Sequence, residues 1–332
     1  MKLSVIIPVH NGEKFIKRAY NSIKAQKLET YEHEIIFIDN NSTDGSSSVI
    51  KELMQLDPVV KLYEQPDKGE AHARNKGIEK AKGEYLHQLD VDDELFPGAL
   101  RKMINVLDNH PKVEAVVGKM FKSHKPLSEI EMPTDETNEV TFHDKPYWGL
   151  KWFESLRYVV GEAAFMHRKS VFEKIGNYNV HISMGTDTAV DIKLGMLCNV
   201  AYINTYIYLY FKHFDSITAV SKRNYNQIFH LWSRSIQADL PLYLGYDVPL
   251  EYKSRLFRQL FTTMGKIIGY SKGLKNRKKI YLQIPSDISP VKLPFLIKLY
   301  LKFIVYIPLP IVTKFYVYYF SKWYVDRNLD RF

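Results

Sequence analysis

The chain has 332 residues, with 46 Lys and Arg against 37 Asp and Glu, and a formal net charge of +9 at pH 7. Hydrophobic residues make up 45 % of the sequence, which excludes an intrinsically disordered chain. The single cysteine, Cys198, excludes an internal disulfide framework. At roughly 150 residues per domain, we expect one large domain with an appendage. A strand begins at the N-terminus with no apolar signal segment before it, so we expect a cytoplasmic protein.

The charge is distributed unevenly along the sequence. Residues 225–332 contain 17 Lys and Arg against 6 Asp and Glu, a balance of +11, whereas the first 224 residues contain 29 against 31, a balance of −2. The basic character therefore belongs to the C-terminal third. That third is expected to have an acidic partner, either membrane lipid or nucleic acid.

Strands and helices are predicted to alternate from the N-terminus onward. Short runs rich in β-branched residues at 3–9, 34–38 and 59–63 each precede a polar loop and a segment with helical spacing of apolar residues. A fourth such strand ends near residue 89, and a fifth is predicted at 113–117. Regular alternation with short loops predicts an α/β fold with a mostly parallel sheet and flanking helices.

The fourth predicted strand is followed by three carboxylates within four residues, at Asp90, Asp92 and Asp93. Acids at the carboxyl end of a parallel strand lie in the crevice where open α/β sheets bind ligands. They repel one another unless a cation lies between them, and oxygen ligands favour Mg²⁺ or Mn²⁺ beside the phosphates of a nucleotide. The alternative is a simple turn and helix cap before Pro97.

Three polar loops are predicted to converge at one edge of this sheet: residues 10–11, 39–44 and 90–93. Turn formation alone would explain any one of these loops. The sequence contains neither a P-loop nor a Gly-x-Gly-x-x-Gly fingerprint after the first strand. A metal is therefore expected to hold the phosphates.

Four motifs together resemble those of the family 2 glycosyltransferases, in order and in spacing. They are Pro-Val-His-Asn-Gly at 8–12, Ile-Asp-Asn-Asn-Ser-Thr-Asp-Gly-Ser at 38–46, Ala-Arg-Asn-Lys-Gly at 73–77 and Gly-Glu-Tyr-Leu-His-Gln-Leu-Asp-Val-Asp-Asp at 83–93. The resemblance covers about residues 1–220. It implies an inverting enzyme with the GT-A (Rossmann-like) fold that uses a nucleotide sugar as its donor.

The resemblance also implies a donor site and a metal site. The residues expected to bind the nucleotide sugar are Pro8, His10, Asn11, Asp39, Asn40, Arg74, Asp90, Val91 and Asp92. Those expected to bind Mg²⁺ or Mn²⁺ are Asp92, Asp93 and His213. The family usually has a second Asp at position 40, so Asn40 leaves the preferred base open. The alternatives are a surface-loop residue for His10 and an ordinary strand histidine for His213.

The second half of the resemblance implies the acceptor side, after an irregular segment at 119–147. Gly161, Glu162 and Asp191 are expected near the acceptor. Asp187, with Lys193 six positions on, resembles the general base that takes the proton of the attacking hydroxyl. The alternatives are that Asp187 is only a helix cap and that Asp191 is the base.

The C-terminal third is predicted to be helical, basic and amphipathic. Between 275 and 325, lysines lie at helical spacing beside apolar and aromatic residues, and the longest uncharged run near the C-terminus, 303–313, has 11 residues. A bilayer span takes about 20 residues. We therefore expect helices that lie on an anionic membrane surface. The alternative is a helical pair packed on the catalytic domain or across a dimer.

The sequence hypothesis is a metal-dependent inverting glycosyltransferase in surface polysaccharide biosynthesis. It takes a nucleotide-diphosphate sugar, expected to be a UDP-sugar, and a glycan or polyprenyl-diphosphate-linked acceptor. It is expected to be peripheral on the inner face of the cell membrane, with a homodimer possible. Residues 1–220 are the expected catalytic domain, with a donor half at 1–118 and an acceptor half at 119–220, and 221–332 are the helical extension. The alternatives are a nucleotidyltransferase and a nucleic-acid-binding protein, although no nucleic acid is expected.

Overall fold

A computed structural model of the protein describes residues 1–155, 158–182, 185–214 and 227–332. The chain divides into two compact units. The first unit comprises Met1–Val180 and Val190–Arg223, and the second comprises His181–Ala189 and Asn224–Phe332.

A nine-stranded sheet forms the centre of the first unit. Its strands are β1 (Leu3–Val9), β2 (His33–Asp39), β3 (Val60–Glu64), β4 (Tyr85–Gln88), β5 (Glu94–Leu95), β6 (Ala115–Ser123), β7 (Val140–His143), β8 (Phe165–Arg168) and β9 (Val200–Phe211). The strand order is β3-β2-β1-β4-β8-β6-β9-β5, and β7 pairs with β9. The four strands from β3 to β4 are parallel, as is the pair β6 and β9, whereas β8, β5 and β7 run antiparallel to their partners.

The register of the parallel strands brings their carboxyl ends together. Val9 lies opposite Asp39 across β1 and β2, and Ile6 lies opposite Gln88 across β1 and β4. The pairing continues one residue past β4, where the Leu89 amide donates to the Ile6 carbonyl. The loops after β1, β2 and β4 therefore start side by side at one edge of the sheet.

The helices described up to residue 197 are α1 (Glu13–Lys24), α2 (Ser46–Leu56), α3 (Glu70–Lys80), α4 (Ala99–Asn109), α5 (Tyr147–Glu154), α6 (Ser170–Ile175) and α7 (Thr186–Leu197). The helix α1 buries Phe15, Ile16, Ala19 and Ile23, the apolar stripe that its sequence predicts. The helix α3 lies very close to β1, since a Cβ atom on Gly77 would be 2.2 Å from Cγ2 of Ile6.

Two features of the second half of the sheet differ from the sequence prediction. The segment 119–147 was expected to be irregular, but β6 continues to Ser123 and β7 adds a short strand inside it. The two-residue strand β5 lies where only a turn or cap was expected. Both β5 and β7 pair with β9, a 12-residue strand. These short strands form because a long partner presents its backbone to them, which local sequence does not reveal.

The second unit is helical. Its helices are α8 (Gln227–Arg234), α9 (Leu240–Gly245), α10 (Leu250–Gly269), α11 (Leu274–Asp287), α12 (Phe295–Tyr306), α13 (Pro310–Phe315) and α14 (Ser321–Asn328), with π-helical turns at Ser235–Asp239 and Tyr316–Phe320. The α/β class with a mostly parallel sheet and a helical C-terminal region is confirmed. Over the described residues, no helix combines the length and the apolar character that crossing a bilayer requires.

Close packing against α10 fixes the C-terminal helices. A Cβ atom on Gly265 would lie 2.3 Å from Cδ1 of Tyr316, and one on Gly269 would lie 2.4 Å from Cγ2 of Thr313. The two glycines are one helical turn apart, so they form a groove that Tyr316 and Thr313 fill. Arg258 of α10 also donates from Nε to Oδ1 of Asp326 at 2.7 Å. The close approach at the two glycines sets the positions of α13 and the π-helical turn on α10, and the Arg258–Asp326 pair adds a side-chain contact with α14.

Candidate active site

The loops after β1 and β2 are joined by hydrogen bonds. His10 donates from Nδ1 to the Asn40 carbonyl at 2.8 Å. The Asn11 side-chain oxygen accepts from the Thr43 amide at 2.7 Å, and the Asn11 amide donates to Oγ of Ser42 at 3.1 Å. Asn11 has φ of +52°, a left-handed conformation that asparagine tolerates better than most residues. The predicted convergence of these two loops is therefore present, with the His10 side chain left exposed.

Pro8 and Val91 are placed by backbone and packing. Pro8 lies in β1 opposite Ile38 of β2. Val91 lies beside Gly12, since a Cβ atom on Gly12 would be 2.9 Å from Cγ1 of Val91. The acidic loop 90–93 thus packs directly against the loop after β1, as the sheet topology requires.

Asp39 and Asn40 are mostly buried and bonded within the loops. The Asp39 carboxylate accepts from the Ser42 amide at 3.0 Å. Asn40 donates from Nδ2 to the carbonyls of Gln65 at 2.9 Å and Asp67 at 2.6 Å, and its Oδ1 accepts from the Gly69 amide at 2.9 Å. Both amide hydrogens and one lone pair are used, so Asn40 fastens the 65–69 loop to the end of β2. Its expected contact with a base stays a prediction.

Arg74 and Asp90 form an ion pair at this edge, in which Arg74 is buried and Asp90 is 42 % exposed. The Arg74 side chain is 2 % exposed, and its Nη2 lies 2.6 Å from Oδ1 of Asp90 and 2.5 Å from Oε1 of Glu70. Nη1 donates to Oε1 of Gln88 at 3.3 Å. Burial alone would lower the pKa of Arg74, but the charges of Asp90 and Glu70 raise it, so the guanidinium stays charged.

Asp92 and His213 form a second pair across the end of β9. Nε2 of His213 lies 2.8 Å from Oδ2 of Asp92. The imidazole packs on the rings of Phe15 and Phe211, with centroids 5.0 Å and 5.8 Å away. The two predicted metal ligands that are farthest apart in sequence, by 121 residues, therefore meet directly.

Asp93 points into the protein. Its Oδ1 accepts from the Phe211 amide at 2.9 Å, and the side chain is 1 % exposed. Burial, together with the charges of Asp92 and Asp90, raises the pKa of Asp93 well above its ordinary value. Across the described residues, no group of three or more His, Cys, Asp or Glu side chains is arranged to hold a metal ion. The structure therefore does not assemble Asp92, Asp93 and His213 as one cluster.

Arg18 is a site residue that the sequence reasoning missed. Its Nη2 donates to the Asp92 carbonyl at 2.5 Å, and its Nε lies 3.3 Å from Oε1 of Glu94. The guanidinium carbon lies 4.1 Å from the centroid of the Phe211 ring. Arg18 thus joins the acidic loop to the end of β9. The available signal was its spacing, because it follows Phe15 by three residues on α1 and shares a face with it.

A buried polar network leads from Arg74 toward the predicted acceptor side. Gln88 donates from Nε2 to the Tyr178 hydroxyl at 2.7 Å, while its Oε1 accepts from Arg74. Burial, with the charge of Glu162, raises the pKa of Tyr178, against the opposing effect of Arg74. Gln88 and Tyr178 were not among the predicted site residues. Glutamine in a strand gives no pattern that marks it as a link.

Two of the three predicted acceptor residues, Glu162 and Asp191, are buried. Gly161, with φ of +80°, precedes the 3₁₀ turn Glu162–Ala164, and Glu162 is 3 % exposed. Oε2 of Glu162 lies 3.9 Å from Nε2 of the buried His167. Asp191 is fully buried in α7.

Asp187 lies in the first turn of α7, within the segment grouped with the second unit. Its Oδ1 accepts from the Thr188 amide at 2.7 Å. The carboxylate is half-buried, so it is open to solvent. Its role as the base stays a prediction, and residues 215–218 of the predicted diphosphate segment lie outside the described residues.

Three proteins show what this chain resembles. A glucosyltransferase of Campylobacter jejuni, named GalNAc(5)-diNAcBac-PP-undecaprenol beta-1,3-glucosyltransferase, is 36 % identical over 105 residues, which cover 31 % of this chain and 33 % of the relative. The structure of residues 1–349 of Staphylococcus aureus TarS in complex with UDP-GlcNAc has a TM-score of 0.65 at 16 % identity, over 100 % of this chain and 92 % of that one. The mannosyltransferase PcManGT of Pyrobaculum calidifontis, in complex with GDP-Man and Mn²⁺, has a TM-score of 0.51 at 17 % identity, over 98 % and 87 %.

The matches to curated sequences are partial. In three further curated glycosyltransferases the matched region spans 43 %, 37 % and 62 % of the relative's length. The structural likeness extends over nearly the whole chain, and it confirms the predicted GT-A type of fold.

The family profile described as Glycosyl transferase family 2 matches residues 4–176. That range holds the four motifs, the acidic loop with Arg74 and Asp90, and the paired loops after β1 and β2. It is more than half of the chain, and the resemblance read from the sequence is confirmed. The chain belongs to glycosyl transferase family 2.

Proposed function

We propose that the protein is a metal-dependent inverting glycosyltransferase that takes a sugar from a UDP-sugar donor. The observation that carries the proposal is the pair of contacts at the carboxyl edge of the sheet, Arg74 with Asp90 and Asp92 with His213. These four side chains lie beside the interlocked loops that family 2 motifs form. The TarS structure contains UDP-GlcNAc and the PcManGT structure contains GDP-Man, which supports a nucleotide-sugar donor.

The residues present fit a metal that is shared with the donor. Mg²⁺ and Mn²⁺ typically take one or two carboxylates from the protein and complete their shell with substrate phosphates and water. Asp92 and His213, 2.8 Å apart, supply a carboxylate and an imidazole that face each other. When bound, the metal supplies positive charge to the diphosphate of the donor.

The remaining acids then have different roles. Asp93 accepts from the Phe211 amide, so we propose that it anchors the end of β9, which carries His213. Asp90 is fixed by Arg74, and Arg18 holds the Asp92 carbonyl. The donor-binding residues thus keep their geometry before the donor arrives, which lowers the entropic cost of binding.

We propose that Asp187 is the general base. The acceptor hydroxyl attacks the anomeric carbon opposite the departing diphosphate, and its proton passes to the Asp187 carboxylate, so that the anomeric configuration is inverted. Asp187 is partly exposed at the start of α7, which is compatible with this role. Glu162, Gly161 and Asp191 complete the proposed acceptor side.

The acceptor and the location belong to the same proposal. A glycan or a polyprenyl-diphosphate-linked glycan is the proposed acceptor, which the name of the C. jejuni relative supports for part of this chain. Residues 1–220 are the proposed catalytic domain. Residues 221–332 are the proposed extension that meets an anionic membrane on its cytoplasmic face, and a homodimer remains compatible with this arrangement.

The donor and metal proposal is tested by calorimetry with UDP and with GDP, with Mn²⁺ or with a chelator. We expect UDP to bind only when metal is present. We expect Asp92→Asn to weaken the binding of UDP and of the metal. Asp144→Asn is the matched control, because Asp144 is exposed and only its backbone carbonyl is used, by Tyr147. Chelator-insensitive UDP binding that is unchanged in Asp92→Asn would reject the metal role, and preferential GDP binding would reject UDP.

The base is tested with Asp187→Asn, which keeps the shape of the side chain and its capping ability. A positioned proton acceptor contributes about 10²–10⁴-fold to the rate. We expect transfer to fall by that factor, with unchanged UDP affinity and melting temperature, and a milder loss in Asp191→Asn. Normal transfer by Asp187→Asn would show that Asp187 is not the general base. A stable but inactive Asp191→Asn would favour Asp191 as the base.

A further inference from the structure

The helix α12 is apolar on two faces. Its inner face buries Ile297, Leu301, Ile304 and Val305. Its outer face carries Phe295, Leu299, Phe303 and Tyr306, of which Phe295 is 75 % exposed and Leu299 is 53 % exposed. A helix that needs only one buried stripe usually has a polar opposite face. The outer apolar face is therefore surplus to the packing of the second unit.

Exposed apolar side chains also occur after α12, in α13, in the π-helical turn and in α14. Ile311 is 76 % exposed and Tyr319 is 67 % exposed, and Phe315 and Trp323 are about half exposed. Soluble proteins tolerate single exposed apolar residues, but a contiguous patch marks an interaction surface. We name the exposed apolar side chains between Phe295 and Trp323 the apolar surface.

A groove runs along this surface. Its volume is about 670 Å³, and its apolar walls are Leu296, Leu299, Tyr300, Phe303, Tyr306 and Phe320. Tyr300 and Phe320 stack with centroids 4.9 Å apart, and Tyr300 lies 5.1 Å from the buried Tyr316. Because Tyr316 fills the space above Gly265, the floor of the groove is fixed by the packing of α10. The lining of the groove is almost entirely apolar, which suits a hydrocarbon chain.

The surroundings of the apolar surface are strongly basic. Between residues 272 and 323 the sequence has ten Lys and Arg and one acid, Asp287, a balance of +9. Asp287 accepts from Nε1 of Trp232 at 3.2 Å. The basic and apolar parts touch, since Nζ of Lys278 lies 5.2 Å from the centroid of the Tyr306 ring and Lys302 lines the groove.

We propose that the apolar surface docks onto an anionic lipid bilayer, with a lipid hydrocarbon chain in the groove and the lysines at the level of the headgroups. Aromatic and aliphatic side chains beside lysines are the composition of helices that lie in a membrane interface. A second copy of this chain is disfavoured as the occupant, because residues 272–323 of each copy carry a charge of +9 and would repel each other. The proposal adds to the proposed function the face that meets the membrane, and its test measures lipid binding without catalysis.

The full chain is sedimented with phosphatidylcholine vesicles with and without phosphatidylglycerol. We expect binding only to the anionic vesicles. One basic residue near an anionic surface contributes about fivefold in affinity. The triple variant Lys298→Gln, Lys302→Gln, Lys314→Gln should therefore bind about a hundredfold more weakly. A second variant, Leu299→Ser, Phe303→Ser, Ile311→Ser, should lose binding at moderate salt.

Matched controls come from the first unit. Leu56, which is 81 % exposed on α2, and the exposed Lys51 and Lys82 offer the same residue types away from the apolar surface. Leu56→Ser and the double variant Lys51→Gln, Lys82→Gln should bind like the wild type. Brominated lipid should quench wild-type tryptophan fluorescence, and Trp323→Phe should remove most of that quenching.

Three results would overturn the proposal. The first is that the lysine and apolar variants bind anionic vesicles as well as the wild type does. The second is that the wild type binds neither vesicle and shows no quenching. The third is that the apolar variant turns a dimer into a monomer while vesicle binding stays unchanged, which would make the surface a contact between copies. Melting curves of each variant separate loss of binding from loss of the fold, and the wild-type quenching result holds whatever the variants do.

Discussion

The carboxyl edge of the sheet and the C-terminal helices differ in which side chains they bury. At the sheet edge, polar side chains such as Arg74 and Asn40 are buried and are bonded to neighbouring loops. In α12 and α13, apolar side chains such as Phe295 and Ile311 are exposed although their helices already have a packed inner face. Each region departs from the ordinary rule that polar groups lie outside and apolar groups inside.

The two departures have different physical costs, and this is what the comparison teaches. A buried polar group is tolerated only when its hydrogen bonds are made, so the sheet edge depends on exact partners. An exposed apolar group costs the fold little, because no neighbouring residue depends on it. The sheet edge should therefore be sensitive to single changes in stability, and the outer face of α12 should be sensitive only in binding.

The first comparison is between two ion pairs with the same spacing. Arg74 pairs with Glu70, and Arg255 of α10 pairs with Glu251, both four residues apart in a helix. The Arg74 side chain is 2 % exposed and Arg255 is 27 % exposed. Arg74→Met leaves the buried Oε1 of Gln88 without its donor. It also removes the hydrogen bonds to Asp90 and Glu70, whose carboxylates are about 40 % exposed and regain water, so we expect a loss of about 1–3 kcal/mol.

Arg255→Met is the matched control and should cost only about 0.3–0.5 kcal/mol. Urea unfolding followed by circular dichroism measures both. Equal losses in the two variants would show that burial does not separate the two regions as described.

The next effect lies within one helix. Leu301 faces inward from α12 and is fully buried, whereas Phe303 faces outward and is 46 % exposed. Leu301→Ala should lower the free energy of unfolding by about 2–5 kcal/mol, because it removes packed methyl groups and leaves a cavity. Phe303→Ala should cost less, about 1 kcal/mol, because nearly half of Phe303 is exposed and its ring meets Tyr300 edge-on at 6.4 Å between centroids.

Thermal unfolding in the absence of lipid checks this pair of variants. A large loss of stability in Phe303→Ala would mean that its ring packs on the protein in solution. The outer face of α12 would then be part of the core and not a surplus.

The last effect concerns pH. Burial lowers the pKa of His87 to about 4 and, together with the nearby His87, lowers that of His167 to about 3. Below about pH 6.5 the unfolded chain binds protons that the folded chain does not take up until pH 4 or 3. The free energy of unfolding therefore falls as pH falls through that window, by about 2 kcal/mol per histidine at pH 5. In the second unit, burial also lowers the pKa of the half-buried His230, which acts in the same direction. The two fully buried histidines of the first unit carry the larger shifts.

His167→Leu should remove about half of the histidine-dependent loss between pH 7 and pH 5. His110→Leu, at an exposed position, controls for the substitution itself. Chemical unfolding at a series of pH values measures the slope, and parallel curves for wild type and His167→Leu would contradict the prediction.

The sequence predicted those parts of the fold that depend on local pattern. The β-branched run of β1 and the apolar stripe of α1 lie in neighbouring residues, so their periodicity suffices. The strand β5 has only two residues and exists because β9 lies beside it. No local signal specifies such a strand, since its hydrogen bonds come from residues more than 100 positions away.

The same limit applies to the candidate site. The acids of the loop 90–93 and the position of Arg74 were found because they lie in motifs. Arg18 and Gln88 were missed because each acts through a partner that only the tertiary structure supplies. Asn40 was predicted to bind the base of the donor. Its three hydrogen bonds to the loop 65–69 were not predicted, because that loop meets Asn40 only in the folded chain.

The tight packing of Gly77 against Ile6 helps to position the ion pair between Arg74 and Asp90. A Cβ atom there would lie 2.2 Å from Cγ2 of Ile6, about 1.2 Å short of an ordinary contact at 3.4 Å. An added methyl group would push α3 outward by a distance of that order, and Arg74, one turn earlier, would move with it. The 2.6 Å contact between Arg74 and Asp90 would then open beyond hydrogen-bond reach. A substitution at Gly77 would thus break the Arg74–Asp90 ion pair of the proposed donor site, although neither charged residue had been replaced.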